Sequence, residues 1–353
     1  LCYKKLSMSK KNSSVSLKVK FKEHKELLKI YLKFKEKIKN INTKSIAIAI
    51  SGGPDSLALA ALTKNYSLEK KTKFYYVLVD HRIRKNSSKE ALKVKKILKK
   101  FNIKLDILTN YLKIEKNVQS TARIIRYKLL SKFCEKKKIA TILTAHNLED
   151  QVETFFIRLS RGSGLRGLSA MQSSTKIHKY LRLYRPLLEI KKRDLTKISK
   201  KIFGEYIRDP SNRNTKYLRV KIRKLKKPLM NSGISYDQII KSINNLASSK
   251  VTLENFMIKK SKEFIKKKIN GRIYLDLKKF NRLNEEIRIR VINDVIRKLH
   301  NNYYNPRSNK VVNLIKNIKD RAFKKSTLSK CVFERQKDQL SIKKEKKRYF
   351  KEI

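Results

Sequence analysis

The chain is poor in acidic residues. Of its 353 residues, 29 are Asp or Glu, whereas 91 are Lys or Arg, so the formal net charge is +62. Such an imbalance favours a polyanionic partner, first of all nucleic acid, although a membrane surface would attract it too. The richness in Lys, Asn and Ile is also typical of an AT-rich genome, but such drift would not obviously deplete acids to this degree.

Cysteines and long apolar runs are scarce as well. The three cysteines, Cys2, Cys134 and Cys331, lie far apart and form no C-x-x-C, which argues against a zinc site or an iron–sulfur cluster and fits a reducing compartment. No apolar run approaches the ~20 residues of a membrane span. The start has no apolar segment of the secretory type. We therefore expect a cytoplasmic protein without a membrane partner.

A glycine loop is present without the lysine of the common nucleotide-binding loop. The apolar run Ile46–Ile50 breaks into S-G-G-P-D-S at 51–56, and helix-forming residues follow from Leu57. This order predicts strand, tight loop and helix, a geometry that binds anions through backbone amides. No G-x-x-x-x-G-K-[ST] occurs. The alternative is a glycine turn between two core elements.

The loop contains a carboxylate, Asp55. An acid beside phosphates is unfavourable unless a metal ion or an ammonium group lies between them. The sequence therefore predicts that Asp55 binds a divalent cation or a basic co-substrate.

Strand-like and helix-like segments alternate after the loop. Strands are predicted at 46–50, 74–79, 103–108 and 141–146, and a capping box of Ser87 and Glu90 predicts the start of one intervening helix. This alternation predicts an α/β fold with a parallel sheet and helices on both faces. The carboxyl ends of the strands would bring the glycine loop, Asp80-His81 and His146 into one crevice.

A helix is predicted from Leu148 to about Arg161, and it carries two acids. Its apolar residues fall on one side: Val152, Phe155, Phe156 and Leu159. Asp150 and Glu153 share the other side, so we expect both carboxylates to face outward beside the crevice. A solvated face and a metal cluster of His146, Asp150 and Glu153 are alternatives. A cation held by Asp55 and phosphates is the simpler arrangement.

Later motifs are basic. A small-residue loop spans 161–168, an edge strand that Pro186 stops is predicted at 180–188, and a turn at 208–212 leads into a basic helical stretch at 217–223. The small-residue loop can approach a phosphate or a nucleotide closely.

Three regions are predicted. Residues 1–44 form a basic, peripheral lead-in with one amphipathic helix, residues 45–228 form the α/β domain that carries the glycine loop, and residues 229–353 form a mainly helical domain with a short β unit at 327–342. The last domain is interpreted as RNA-binding, with plain structural packing as the alternative.

Six motifs occur in one order: S-G-G-P-D-S at 51–56, V-D-H-R-I-R at 79–84, A-R-I-I-R-Y at 122–127, T-A-H-N-L-E-D-Q-V-E-T at 144–154, R-G-S-G-L-R-G-L at 161–168, and D-P-S-N with L-R-V-K-I-R at 209–223. The loop resembles that of the ATP pyrophosphatases with a PP-loop. The ordered set, over roughly 46–230, resembles the tRNA(Ile)-lysidine synthase family, which attaches lysine to the wobble cytidine of an isoleucine tRNA.

The resemblance implies roles for particular residues. The ATP-binding loop would be Ser51, Gly52, Gly53, Pro54, Asp55 and Ser56. Asp150 and Glu153 would bind the substrate lysine, and His146 would also be a substrate-binding residue. Asp55 would bind Mg²⁺ or the amine, and Asp55, Asp150 and Glu153 would be catalytic. Residues 45–228 would be the ATP-binding catalytic domain. Arg123, Arg126 and Arg219 would contact ATP or the adenylated cytidine. The partners implied are L-lysine and tRNA(Ile) with a CAU anticodon, and a homodimer is compatible with the sequence.

Two other functions stay open at this point. Another PP-loop tRNA-modifying enzyme, such as a thiolase, would normally need reactive or cluster-binding cysteines, which this chain lacks. A non-catalytic basic RNA-binding protein with a degenerate nucleotide site is less consistent with the intact loop and the paired acids.

Overall fold

The computed structural model describes residues 20–84, 86–115, 118–178, 180–208, 215, 218–269, 271–300, 306 and 308–345. They divide into two compact units, Leu1–Gly162 with Gly167–Asn244, and Ser163–Arg166 with Asn245–Ile353. The predicted turn at Asp209–Asn212 and the residue Cys2 lie outside the described residues.

The helices and strands up to residue 231 follow in this order: α1 (Lys25–Ile38), β1 (Ser45–Ile50), α2 (Pro54–Ser67), β2 (Lys73–Asp80), α3 (Ser87–Lys99), β3 (Leu105–Thr109), α4 (Val118–Lys136), β4 (Thr141–Leu143), α5 (Leu148–Leu159), α6 (Leu165–Leu168), β5 (Ser174–His178), β6 (Leu181–Tyr184), α7 (Lys192–Phe203), α8 (Leu218–Lys224) and α9 (Lys226–Asn231). All of them belong to the first unit except the short α6, whose first two residues are assigned to the second. The helix α10 (Tyr236–Phe264) begins in the first unit.

The first unit is built on a six-stranded sheet in the order β3-β2-β1-β4-β6-β5. Strands β3, β2, β1, β4 and β6 run parallel to one another, and β5 pairs antiparallel with β6. The order reverses between β1 and β4, where ligands bind in such sheets, outside the carboxyl ends of the strands. The predicted parallel α/β fold is confirmed.

Side chains of β1 show why both faces of the sheet are covered. Ile46, Ile48 and Ile50 pack into a core with α1, α2 and α3, while Ala47 and Ala49 face the core that α4 covers. Successive strand residues point to opposite faces, so a strand buried on both sides has a continuous apolar run. This is why the run at 46–50 could be recognised.

Several local predictions are wrong. The lead-in is not peripheral where it is described, because α1 buries Leu27, Tyr31 and Phe34 in the main core. The strand after Tyr180 is not an edge strand, since β6 lies between β4 and β5. The predicted capping box at Ser87 does not form: Ser87 is already helical, and Arg84 holds the Glu90 carboxylate at 2.9 Å.

The second unit contains the rest of the chain: β7 (Ile265–Ile269), β8 (Arg272–Asp276), α11 (Leu277–Asn281), α12 (Glu285–His300), α13 (Ser308–Lys319), β9 (Lys325–Leu328), β10 (Cys331–Gln336) and β11 (Gln339–Lys344). Its core contains Phe280, Ile292 and Phe333. Helices are present as predicted, and the expected short β unit belongs to a five-stranded antiparallel sheet, β7-β8-β11-β10-β9. No helix among the described residues combines the length and the apolar character needed to cross a membrane.

Candidate active site

The loop between β1 and α2 is held in one conformation by its neighbours. Gly52 has a φ of +83°, and a Cβ there would lie 2.5 Å from Cγ2 of Val94 on α3, so only glycine fits. Its carbonyl oxygen accepts a hydrogen bond from the Ile207 N–H at 2.9 Å. The loop is therefore fixed from two sides by later parts of the chain.

Serine hydroxyls close the same loop from inside. Ser56 Oγ accepts from the Ser51 N–H at 3.1 Å and donates to the Gly53 carbonyl at 3.0 Å, and Ser51 Oγ donates to Ser56 Oγ at 3.2 Å. The buried Ser199 on α7 donates to the carbonyl of Pro54, the first residue of α2. The result is a rigid turn at a helix start, where amides and the helix dipole attract an anion.

Asp55 lies in the first turn of α2 and is mostly buried. Its Oδ2 lies 3.8 Å from Lys192 Nζ, while Oδ1 has no hydrogen-bond partner within the described residues. Burial raises the pKa of Asp55 to about 6; Lys192 opposes this, and the carboxylates of Asp150 and Glu149 add to it. A carboxylate with an unused buried oxygen, next to other acids, is suited to receive a cation.

Asp150 helps to cap the N-terminus of α5. Asn147 Oδ1 accepts from the Asp150 N–H at 3.0 Å, and Asp150 Oδ2 accepts from the Asn147 N–H at 3.1 Å, which is a reciprocal capping box. The carboxylate is half-buried, and it acts electrostatically on both Asp55 and Glu153. Asp150 thus lies among the acids of the crevice with one oxygen committed to the helix end.

Glu153 does not face outward as predicted, because it is 2% exposed. Arg223 Nε lies 2.5 Å from Oε1 and Nη2 lies 3.2 Å from Oε2, and Arg219 Nε lies 3.3 Å from Oε2. Burial raises the pKa of Glu153, and the Arg223 guanidinium opposes the rise. The helical stretch at α8 covers this side of α5, and its two arginines compensate the buried charge.

The opposite side of α5 also differs from the prediction. Val152 is fully buried, but Leu159 is 47% exposed, and the two phenylalanines between them are partly buried. The predicted apolar side therefore reaches the core only over the first two turns of the helix.

Two further residues of the crevice were missed from the sequence. Glu149 Oε2 accepts from the Lys192 N–H at 2.8 Å, and Lys226 Nζ lies 3.4 Å from Glu149 Oε1. Lys192 begins α7, a helix that was not predicted. Its ammonium group lies 3.8 Å from Asp55 Oδ2 and opposes the rise in the pKa of Asp55. The only signal available was Glu149 itself, directly before Asp150 in the first helical turn.

Both predicted histidines lie at the carboxyl ends of strands and are uncharged near neutral pH. His146 Nδ1 lies 2.8 Å from Thr144 Oγ1, and burial together with Arg185 and Arg123 lowers the pKa of His146 to about 3. Burial and the neighbouring Arg126 lower the pKa of His81 to about 4. These imidazoles can exchange hydrogen bonds without carrying charge.

The predicted arginines converge on the same histidines. Arg126 Nε donates to His81 Nε2 at 3.5 Å, and the charges of Arg123, Arg126 and Arg219 all act on His146. Arg123 also lies 5.1 Å from the ring of Tyr127. Arg219 acts on His146 and also contacts Glu153, so it links these arginines to the acids of the crevice.

The alternative metal cluster does not form. In the part of the chain that the structure describes, no group of three His, Cys, Asp or Glu side chains is arranged to hold a metal ion. His146, Asp150 and Glu153 instead have separate partners: Thr144, Asn147 and Arg223. A cation at this site would be bound by Asp55 with few other protein ligands.

Comparison with known proteins gives a matching domain family and related sequences. Residues 27–229 match the PP-loop domain family. The tRNA(Ile)-lysidine synthase of Wolbachia pipientis wMel is 32% identical over 276 residues, covering 77% of this chain and 64% of the relative. That of Rickettsia bellii (strain OSU 85-389) is 32% identical over 325 residues, covering 89% of this chain and 73% of the relative. This chain thus spans just under two thirds of the first of these proteins.

Among solved structures, a U34-tRNA thiolase from Methanococcus maripaludis with its [4Fe-4S] cluster has a TM-score of 0.54 at 19% identity. The match covers 63% of this chain and 78% of the thiolase. At this identity the likeness concerns the fold alone.

Proposed function

Because the chain belongs to the tRNA(Ile)-lysidine synthase family of PP-loop proteins, we propose that it ligates L-lysine to the wobble cytidine of tRNA(Ile). The tRNA would carry a CAU anticodon, and the modification would change its codon specificity from AUG to AUA. The activity would use ATP, release pyrophosphate and AMP, and take place in the cytoplasm with the tRNA.

One observation supports this proposal above the others. In a chain with 91 basic and 29 acidic residues, Asp150 and Glu149 act electrostatically on Asp55 in the PP-loop, and Asp150 also acts on Glu153. Glu153 and Glu149 have cationic partners within the protein, but Asp55 keeps a buried oxygen without a hydrogen-bond partner among the described residues, beside the half-buried Asp150. A cationic ligand would relieve the repulsion between these carboxylates. The side chain of a substrate lysine provides such a cation.

The chemistry assigns work to both parts of the crevice. Oxygen O2 of cytidine attacks the α-phosphorus of ATP, pyrophosphate leaves, and the resulting adenylated cytidine has AMP as its leaving group. The lysine ε-nitrogen then bonds to C2, AMP departs, and the nitrogen loses a proton. An amine with a pKa of ~10.4 is neutral in only about one molecule in 2,500 at pH 7, so a nearby base is needed.

The residues of the crevice divide these tasks. The amides at the start of α2 and the loop from Ser51 to Ser56 hold the phosphates. Asp55, with its raised pKa, and Asp150 receive the ammonium group and its proton. Arg219 and Arg123, near the uncharged His146, face the negative charge of the adenylate. Glu153 holds Arg223 and Arg219, and it contacts lysine only after releasing one of them.

A magnesium ion fits this site through Asp55. Mg²⁺ in nucleotide sites takes one or two carboxylates and completes its shell with phosphates and water, and the unused buried Oδ1 of Asp55 is such a ligand. When bound, the ion would neutralise charge on the phosphates.

The proposal is tested by incubating the purified chain with ATP, labelled lysine and a tRNA(Ile) transcript with a CAU anticodon. Lysine incorporation that depends on ATP and on the wobble cytidine is expected, and a transcript with uridine at that position is the matched control. Folded protein that binds the tRNA but incorporates no lysine would contradict the proposal, and sulfur transferred to the tRNA would identify a thiolase instead. Sedimentation of the same sample tests the predicted homodimer.

A further inference from the structure

The loops after β2 and β3 are locked to each other by one buried side chain. Asn110 is 4% exposed, and its N–H donates to the Asp80 carbonyl at 2.8 Å. Its Nδ2 donates to the carbonyls of Leu112 at 2.7 Å and His81 at 3.4 Å, while Oδ1 accepts from the Leu112 N–H at 3.1 Å. These bonds fix the backbone on both sides of residue 111.

This rigid loop displays an aromatic ring to solvent. Tyr111 is 82% exposed, its chain neighbour Leu112 is 67% exposed, and Ile83, which follows Arg82, is 46% exposed. The guanidinium of Arg82 lies 5.5 Å from the centre of the Tyr111 ring. Exposed apolar side chains are individually ordinary, but a large ring on a backbone fixed at both neighbours, with a cation beside it, forms a flat, amphipathic surface.

The surface adjoins the candidate active site. His81 lies between Asp80 and Arg82 in the chain, and its ring contacts Arg126, whose charge also acts on His146. Asp80 fixes the turn after β2, since it accepts hydrogen bonds from the Arg82 N–H at 3.0 Å and from Ser88 Oγ at 2.6 Å. Tyr111 and Arg82 therefore belong to the same carboxyl edge of the sheet as the PP-loop.

We propose that Tyr111 and Arg82 form a stacking platform for an unpaired base of the RNA substrate, next to the cytidine that reacts. Single-stranded loops are recognised by stacking their bases on aromatic rings and guanidinium planes, and by cations that bind the flanking phosphates. The occupant is RNA because the platform carries a cation within a chain of net charge +62. This inference rests on the proposed function, since it deepens the assignment of the RNA substrate.

The test measures binding of an anticodon stem–loop RNA containing 2-aminopurine in its loop, without ATP or lysine. Tyr111→Ala is expected to weaken binding between about fivefold and 150-fold, the range for losing one stacked base, and to abolish quenching of 2-aminopurine. Tyr111→Phe keeps the ring and should retain both. Because no charge is removed, Tyr111→Ala should leave the salt dependence of binding unchanged, whereas Arg82→Ala should lower its slope by about 0.7 to 1.

Tyr180→Ala is the matched control, because Tyr180 is 72% exposed and directly precedes β6. It therefore lies at the amino ends of the parallel strands, whereas Tyr111 lies at their carboxyl ends. The Tyr180→Ala variant should bind the RNA as the unsubstituted chain does. Equal affinity and quenching for Tyr111→Ala and the unsubstituted chain would overturn the platform, and so would an equal loss for Tyr180→Ala. Lysine incorporation by the unsubstituted chain is measured separately, so failure of the ligase activity and failure of the platform give different results.

Discussion

We predict that the ionised Asp55 carboxylate lowers the free energy of unfolding of the protein when no ligand is bound. Raising the pKa of this carboxyl from 3.8 to about 6 corresponds to about 3 kcal/mol. Below about pH 3 the carboxyl is protonated in both the folded and the unfolded chain, so it does not affect the free energy of unfolding. Above pH 6 it is ionised in both, and the folded state then bears the cost of a buried charge.

Replacing Asp55 by Asn removes this charge at nearly constant volume. We expect Asp55→Asn to raise the free energy of unfolding by about 2 to 3 kcal/mol near pH 8 and to change it little near pH 4. The gain should disappear progressively as the pH falls from about 6 to about 4. The same substitution should abolish lysine incorporation, so stability and activity change in opposite directions.

Urea denaturation followed by circular dichroism at the two pH values measures the effect. Asp237→Asn is the control, because Asp237 is 61% exposed and pairs with Lys191 at 2.9 Å on the surface, where a lost ion pair costs about 0 to 1 kcal/mol. A variant Asp55→Asn that is less stable at pH 8, or equally stabilised at pH 4 and pH 8, would refute the reasoning.

Three other predictions concern the same crevice. Glu153→Gln removes the carboxylate that holds Arg219 and Arg223, so the KM for lysine should rise while ATP binding is retained; parallel loss of ATP and lysine binding would show a different role. Gly52→Ala should abolish ATP binding in calorimetry because its Cβ meets Val94, whereas Gly53→Ala, with its nearest contact at 3.8 Å, should bind normally; equal affinities would contradict the steric argument. Ser199→Ala should cost about 1 kcal/mol of stability and weaken ATP binding with the KM for lysine unchanged, and unaltered ATP affinity would exclude a role in positioning the loop.

Local patterns were sufficient to predict the loop and the four strands β1 to β4, but β5 was not predicted and β6 was wrongly placed at the edge of the sheet. A strand buried on both faces requires a continuous apolar run, and a phosphate loop requires glycine where φ is positive. Both requirements leave a pattern that can be recognised in the sequence, at Ile46–Ile50 and at Gly52. The strands at 74–79 and 141–146 were recognised in the same way, although β4 ends at Leu143. Convergence of His81, His146 and the loop then follows from topology alone.

The sequence could not predict how the acids are partnered. Helical period places Glu153 away from Val152, but whether that side meets solvent depends on α8, which lies about 65 residues later in the chain. The contact of Lys192 with Asp55 likewise depends on the placement of α7. Asp150 was assigned only to a ligand, although N-x-x-D is a capping box that could have been read locally.

Two hydrogen bonds hold the PP-loop from α7 and from Ile207, and they have a consequence for folding during translation. The hydrogen bonds from Ser199 to Pro54 and from Ile207 to Gly52 join residues about 150 positions apart. Strands β1 to β4 can pair as soon as they leave the ribosome, but the loop acquires both of its outer restraints only when residue 207 has emerged. Nucleotide affinity should therefore appear late during translation, after the sheet has formed, and a nascent chain halted before Ser199 should bind ATP weakly despite carrying the whole S-G-G-P-D-S motif.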